Sequence, residues 1–307
     1  MEQRNQTAVR EFVLLGLTER GELKGFLFVV FLVMYLMNLL WNGTMILVIG
    51  RNSQLHTPMY FFLCNLSFVD MCFTSVTVPK MLSNLISDKN TMSFSECITQ
   101  LYFFIIFTTA ECVLLSIMAY DRYVAICKPL HYFTIMNKDV CISMAAAVFI
   151  ISCFNGLLHT LLIFQLSFCN SNQIQHFFCD FTPFLQLACS DTSINELMIF
   201  TEGSLMVILP FLIILISYFH IIIAILKIKS TGGRRKTFST CSSHLIVVML
   251  FYGTLIFMYF RPSSAYSLEK DRITSVVYNV VCPMLNPFIY SLRNSDVKMA
   301  LKRFLQR

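Results

Sequence analysis

Seven apolar runs dominate the chain and leave it few ways to fold. They lie at roughly 25–50, 57–84, 97–127, 140–164, 196–226, 238–260 and 272–292. Each is near or above the ~20 residues a helix needs to cross a ~30 Å hydrocarbon core. In lipid every backbone N–H and C=O must be paired within the protein, so spanning segments are helices or the strands of closed barrels. The runs lack the ten-residue alternation of a barrel strand, which leaves helices. The chain is 56% hydrophobic and 13% charged, with mean hydropathy +0.68, far below the ~25% charge of a soluble domain. The expected class is an all-α membrane protein, a seven-transmembrane helix bundle. No repeat and no linker tract divides it, so 1–307 reads as one domain: a tail at 1–24, the bundle at 25–292 and a second tail at 293–307. In that last tail Val297, Ala300, Leu301 and Phe304 make one apolar face, with Lys298, Lys302 and Arg303 elsewhere. This is the pattern of a short amphipathic eighth helix on the membrane surface.

An odd number of spans puts the termini on opposite sides, and charge orients them. With the N-terminus outside, the inner loops and tail carry 14 of the 23 Lys and Arg, while the outer side carries 12 of the 17 Asp and Glu. That is the positive-inside arrangement. The basic loop 227–236 then faces the cytoplasm and reads as a surface for a partner or for membrane lipid, with no nucleic acid implied. No signal peptide is expected: residues 1–23 are charged throughout, and the first span can serve as a signal-anchor. Asn5-Gln6-Thr7 is a glycosylation sequon on the outer tail, whereas the sequons at Asn42 and Asn65 fall inside apolar runs and are unreachable.

Four cysteines fall on the outer side: Cys97 at the start of the third span, and Cys169, Cys179 and Cys189 in the long loop after the fourth. An oxidising compartment favours two disulfides there. Four cysteines allow three connectivities, which the sequence does not decide between. A metal site at His176 and Cys179 is the weaker reading, because a disulfide would consume the thiolate.

Polar groups at membrane depth call for a function. Asp70 lies in the second span, Glu111 in the third, and Asn42 and Asn286 in the first and seventh. Two carboxylates in a low-dielectric bundle require that one take up a proton or that a cation sit between them. A sodium site and a protonated structural network both satisfy that. In the third span, Phe104 and Arg122 stand five helical turns apart on one stripe, about 27 Å at 1.5 Å per residue, with Thr108, Glu111 and Leu115 close to it. The run ends in Asp121-Arg122-Tyr123, where a charged pair either anchors the helix at the interface or holds neighbouring helices.

The longer stretch Met118-Ala119-Tyr120-Asp121-Arg122-Tyr123-Val124-Ala125-Ile126-Cys127-Lys128-Pro129-Leu130-His131-Tyr132 resembles the third-helix signature of the odorant receptors, a branch of the rhodopsin-like G-protein-coupled receptors. Further motifs resemble the same family in order: Leu66-Ser67-Phe68-Val69-Asp70, His176-Phe177-Phe178-Cys179-Asp180, Lys236 to His244, Phe251-Tyr252-Gly253, and Pro283 to Asn294 with its Asn-Pro-x-x-Tyr element. The Cys-Trp-x-Pro of most rhodopsin-like receptors is absent, and Tyr252 stands in place of the tryptophan. Two departures stand out. Trp41-Asn42 replaces Gly-Asn, so the tryptophan either crowds a packed face or points to lipid, and Lys236-Thr237-Phe238 replaces Lys-Ala-Phe. The resemblance spans about residues 10–303.

It implies disulfides Cys97–Cys179 and Cys169–Cys189, and sodium at Asp70 with Glu111. It implies switch residues at Asp121, Arg122, Tyr123, Tyr218, His244, Tyr252, Asn286, Pro287 and Tyr290. Asn286 is expected to bridge the backbone groups freed by Pro287, and Tyr290 to swing inward. The implied receptor sits in the plasma membrane, binds a small-molecule odorant and activates an olfactory stimulatory heterotrimeric G protein to raise cAMP. Sodium is the one candidate cofactor. The pocket is expected among the outer halves of spans three, five, six and seven. Helical phase offers Leu101, Phe104, Ile105, Thr108 and Thr109, then Glu202, Met206, Leu255, Ile256 and Tyr259. These suit a small hydrophobic ligand with one hydrogen-bonding group. An amine receptor of this class would carry an aspartate where Phe104 stands, so Glu202, if it faces inward, is what keeps an amine in view. No lysine lies between Arg272 and Arg293 to carry retinal. A transporter or channel would show inverted repeats, broken helices or charged pore rings. An enzyme would show a phosphate loop, nucleophile elbow or zinc motif. The chain has none of these.

Overall fold

The computed structural model describes residues 11–18, 20–87, 90–169, 171–228, 230–259, 268–293 and 295–305. Seven of its helices are long and apolar enough to cross a membrane. The first span is Gly21–Arg51, the second Pro58–Ile86, the third Phe94–Cys127, the fourth Lys138–Phe164, the fifth Ser193–Lys227 and the sixth Thr231–Tyr259. The seventh covers 268–293 in three pieces: Leu268–Val276, a π-helical stretch Val277–Val281, and Cys282–Arg293. Ser295–Leu305 follows as a separate eighth helix against the first and seventh spans. It buries Val297 and Ala300 and exposes Lys298, Lys302 and Arg303. Asn5 and the side chain of Phe304 lie outside the described residues.

The third span is the hub and touches the second, fourth, fifth and sixth. Its start is fixed by a capping box: the Ser93 hydroxyl accepts from the Glu96 N–H, and the Glu96 carboxylate accepts from the Ser93 N–H at 2.8 Å. The two ends of the N-terminal turn thus satisfy each other's unpaired donors. Outward-facing side chains such as Leu40, Phe154 and Phe219 are more than 60% exposed, as a surface solvated by hydrocarbon requires.

The sixth span extends further than hydropathy marks. The stretch 227–236, expected as a basic loop, is mostly helix from Thr231 onward. Ser230 explains the early start, because its hydroxyl accepts from the Gly233 N–H at 2.9 Å and caps the helix. Hydropathy reports only the part of a helix that sits in lipid.

A small sheet closes one end of the bundle, and the sequence gives no sign of it. Strand β1 (Glu11–Leu14) lies between β2 (Thr91–Ser93), antiparallel, and β3 (Gln173–Ile174), parallel. Phe12 on β1 is fully buried among Phe94, Phe168 and Phe184, with ring centroids 6.1, 5.8 and 5.3 Å away. Gly16, at φ +70°, turns the chain from the sheet toward the first span. Disulfides Cys97–Cys179 and Cys169–Cys189 fasten the long loop at this end. Cys179 is therefore no metal ligand, and His176 instead meets the Ser275 hydroxyl through Nε2 at 3.1 Å. Trp41 neither crowds a helix nor faces lipid alone: it packs edge-on against Phe288 of the seventh span at 6.0 Å.

Candidate functional site

A cavity of about 540 Å³ opens beneath the sheet-bearing end, within the range of small-molecule sites. Phe104, Ile105, Thr108, Thr109, Met206 and Leu255, all expected from helical phase, line it. Leu101, Glu202 and Ile256 do not. Leu101 is fully buried in the core, and Ile256 turns outward at 39% exposure. The Tyr259 side chain lies outside the described residues. Glu202 is not among the lining residues, and its carboxylate lies 3.5 Å from His159 Nε2 of the fourth span.

The wall differs from expectation in its elements too. The fourth span contributes Asn155 and His159, and the short loop helix Phe181–Leu187 roofs the cavity with Phe181, Thr182 and Leu185, while no described residue of the seventh span lines it. Asn155 and His159 stand four apart on one helix face in an otherwise apolar run, a signal that intramembrane polar residues mark function. Gly156 between them sets the approach. A Cβ there would sit 3.0 Å from Ile106 and 3.2 Å from Tyr102, so the glycine lets the third and fourth spans close up. Across that contact Asn155 Nδ2 donates to Thr109 Oγ1 at 2.9 Å.

Below the cavity the switch candidates form a bonded chain. The Tyr252 hydroxyl donates to the Cys112 carbonyl at 2.9 Å, tying the sixth span to the third at the cavity floor. About two turns further inward along the sixth span, His244 Nε2 lies 3.1 Å from the Leu115 carbonyl, and Nδ1 lies 2.9 Å from the Tyr218 hydroxyl. A carbonyl only accepts, so Nε2 carries the proton, Nδ1 is bare, and Tyr218 donates to it. His244 thus clasps three spans at once. Arg122, 5% exposed, lies within electrostatic range of Tyr218, Tyr290 and Cys241. Asp121 accepts from the Tyr132 hydroxyl at 2.8 Å, which ties it to the short helix Tyr132–Ile135. Burial and that carboxylate push the Tyr132 phenol upward. Tyr123 meets His220 at 5.6 Å between ring centres, with Lys128 Nζ over its own ring at 5.8 Å.

The mid-membrane acids converge. Asn286 Nδ2 lies 3.1 Å from both Asp70 oxygens and 3.3 Å from Glu111 Oε1, and all three residues are buried. One amide with two protons cannot neutralise two carboxylates, so the cluster has room for a proton or a hard cation in an oxygen-donor setting. Glu111 Oε2 has no hydrogen-bond partner among the described residues and is open to either. Asn286 does not bridge the groups freed by Pro287. That role falls to Asn42, whose Nδ2 donates at 3.1 Å to the Pro283 carbonyl, the acceptor four residues before the proline that lacks its helical donor. Tyr290 is buried in this same region.

At the sheet-bearing end His176 is almost wholly buried, and that burial, with Arg272 nearby, holds its imidazole down at about 3. It is neutral at physiological pH.

Known proteins match this sequence along nearly its whole length. The family described as Olfactory receptor matches residues 31–307. Olfactory receptor 1f45 of Rattus norvegicus is 54% identical over 305 residues, covering 99% of this chain and 97% of its own. Olfactory receptor 1C1 of Homo sapiens is 53% identical with the same coverage, and Olfactory receptor 1F1 of Homo sapiens is 54% identical over 303 residues.

Proposed function

The chain belongs to the olfactory receptor family, a family of G-protein-coupled receptors and not of enzymes, and we propose that it binds a small, mostly hydrophobic odorant in the cavity beneath its sheet and activates an olfactory stimulatory G protein to raise cAMP. The observation that carries this reading is continuity. The Tyr252 bond to Cys112 sits at the cavity wall, and the His244 clasp and Arg122 follow inward from it. A ligand that fits better when the sixth span swings outward shifts the population toward that state. The swing parts His244 from Leu115 and frees the region of Arg122 for a G-protein helix.

The receptor is placed in the plasma membrane with its N-terminus outside. The excess of Lys and Arg on the opposite face, and the two disulfides at the sheet-bearing end, support that orientation. The eighth helix, with its exposed Lys298, Lys302 and Arg303, meets the inner lipid surface. Sodium is the cation proposed for Asp70 and Glu111, and Glu111→Gln then abolishes the sodium sensitivity of signalling. Unchanged salt dependence in a correctly surfaced variant refutes that site.

The test of function is cAMP in cells that carry the chain with the olfactory G protein, screened against varied odorants. Surface staining and Arg122→Ala serve as controls. A response that survives Arg122→Ala defeats the mechanism.

A further inference from the structure

Polar side chains line the cavity at Thr108, His159, Thr182, Gln186 and Glu196 as well, but the pair Asn155 and Thr109 is particular in kind. Asn155, 6% exposed, spends one Nδ2 proton on Thr109 Oγ1, and its Oδ1 has no partner among the described residues. Thr109 accepts that bond, and its own hydroxyl proton has no acceptor among the described residues. Its neighbour Thr108 differs, because its proton goes to the Phe104 carbonyl at 2.8 Å. The pair therefore carries one open acceptor, Asn155 Oδ1, beside two open donors, the Thr109 hydroxyl proton and the second amide proton of Asn155. Turning the amide over exchanges which residue supplies which and leaves the same complement.

We propose that the pocket selects ligands bearing a hydroxyl group, alcohols or phenols, whose oxygen is gripped in both senses by Asn155 and Thr109. This rests on the reading of the cavity as the odorant site and deepens it. A hydroxyl donates to the open acceptor and accepts from an open donor at once. An aldehyde, ketone, ester or ether only accepts, so it meets the donors and leaves the enclosed Asn155 Oδ1 without a partner. A buried polar group left unpaired in that way costs binding roughly ten-fold to hundred-fold. An amine fares no better. Its charge needs a buried counter-ion, but Glu202 is turned to His159, and Glu196 sits exposed at the cavity mouth, accepting from the Thr192 hydroxyl. The remaining wall, with Phe104, Ile105, Val207 and Leu255, accommodates the hydrocarbon, and Met206 and Met258 adapt to its shape.

The experiment uses the full chain in lipid nanodiscs, with binding read as a ligand-dependent rise in unfolding temperature, beside cAMP in cells. The probes are linear, cyclic and aromatic alcohols, each paired with its methyl ether and its carbonyl counterpart: n-octanol with its methyl ether and octanal, and p-propylphenol with its methyl ether. Alcohols are expected to bind roughly ten-fold to hundred-fold more tightly than their ethers. Thr109→Val and Asn155→Leu should each shrink that gap. Should Asn155→Leu fail to fold, the wild-type pairs and Thr109→Val decide the matter alone. Ethers or aldehydes that match the alcohols overturn the hydroxyl preference while leaving the cavity reading intact. Binding by no probe overturns the cavity reading and this inference with it. Alcohol-selective binding without cAMP upholds the inference and overturns the coupling.

Discussion

His244→Leu removes the clasp at the inner half of the bundle while keeping a side chain of similar bulk in a fully buried site. Two hydrogen bonds are lost, to the Leu115 carbonyl at 3.1 Å and from the Tyr218 hydroxyl at 2.9 Å. Neither partner is stranded. The Leu115 carbonyl lies within a helix, and the Tyr218 hydroxyl also reaches the Cys241 carbonyl at 3.3 Å. The loss is therefore the ordinary net value of two bonds, about 1–2 kcal/mol. If the clasp exists only in the resting arrangement, the resting state loses that much relative to the active one, a shift of roughly five- to thirty-fold. An active population on the order of 1% then becomes roughly 5–25%. The assay is ligand-free cAMP normalised to surface receptor. Tyr218→Phe breaks one of the same bonds, so the double variant should fall short of the sum of the singles. Basal cAMP that stays level or drops at equal surface density refutes the assignment of His244 as a resting-state lock.

Other expectations concern the sheet-bearing end. Phe12→Ala should cost about 3–5 kcal/mol by emptying a fully buried ring site, read as a lower unfolding temperature and weaker surface staining. Loss of Cys97–Cys179, whose residues are 82 apart, should destabilise more than loss of Cys169–Cys189, 20 apart, by about 1 kcal/mol in closure entropy; equal unfolding temperatures for Cys97→Ser and Cys189→Ser would contradict that. His176 is held at about 3 against an ordinary value near 6.5. Because the unfolded chain binds the proton first, its stabilising contribution is complete above about pH 6.5 and is lost as pH falls from there toward about 3. At about pH 5.5 the loss is about 1.4 kcal/mol, so acidification should lower the unfolding temperature of the wild type more than that of His176→Gln.

The bundle was legible because lipid removes alternatives: an apolar run of the right length has to be a helix, and seven such runs exist. The bonded centre was legible in part, since Asp70, Glu111 and Asn286 announce themselves as polar groups in apolar surroundings, and they do meet. Other features depend on contacts that no local pattern encodes. Asn42 reads as a lone amide until the structure shows it filling the Pro283 carbonyl, 241 residues away. The fourth span's share of the cavity is not legible from the helical phase of the third, fifth, sixth and seventh spans. Asn155 and His159 were in plain view, and Gly156 was the mark of the close approach that brings them in. The sheet was beyond reach, because four residues cannot display a period and their partners lie far along the chain.

That sheet has a consequence for how the molecule comes into being. Strand β1 leaves the ribosome well before its parallel partner at Gln173–Ile174, which is synthesised some 160 residues later, as Leu14 pairs with Ile174. At ordinary translation rates the first strand waits roughly ten to thirty seconds, while four membrane segments are laid down between the two. Closing the sheet is thus a record of assembly. It happens only once those helices have been inserted in register, with the long loop delivered to the same side as the tail. A chain with a misplaced span leaves Phe12 without its cage and the edges of β2 and β3 unpaired, and those exposed surfaces are the kind that quality-control chaperones retain.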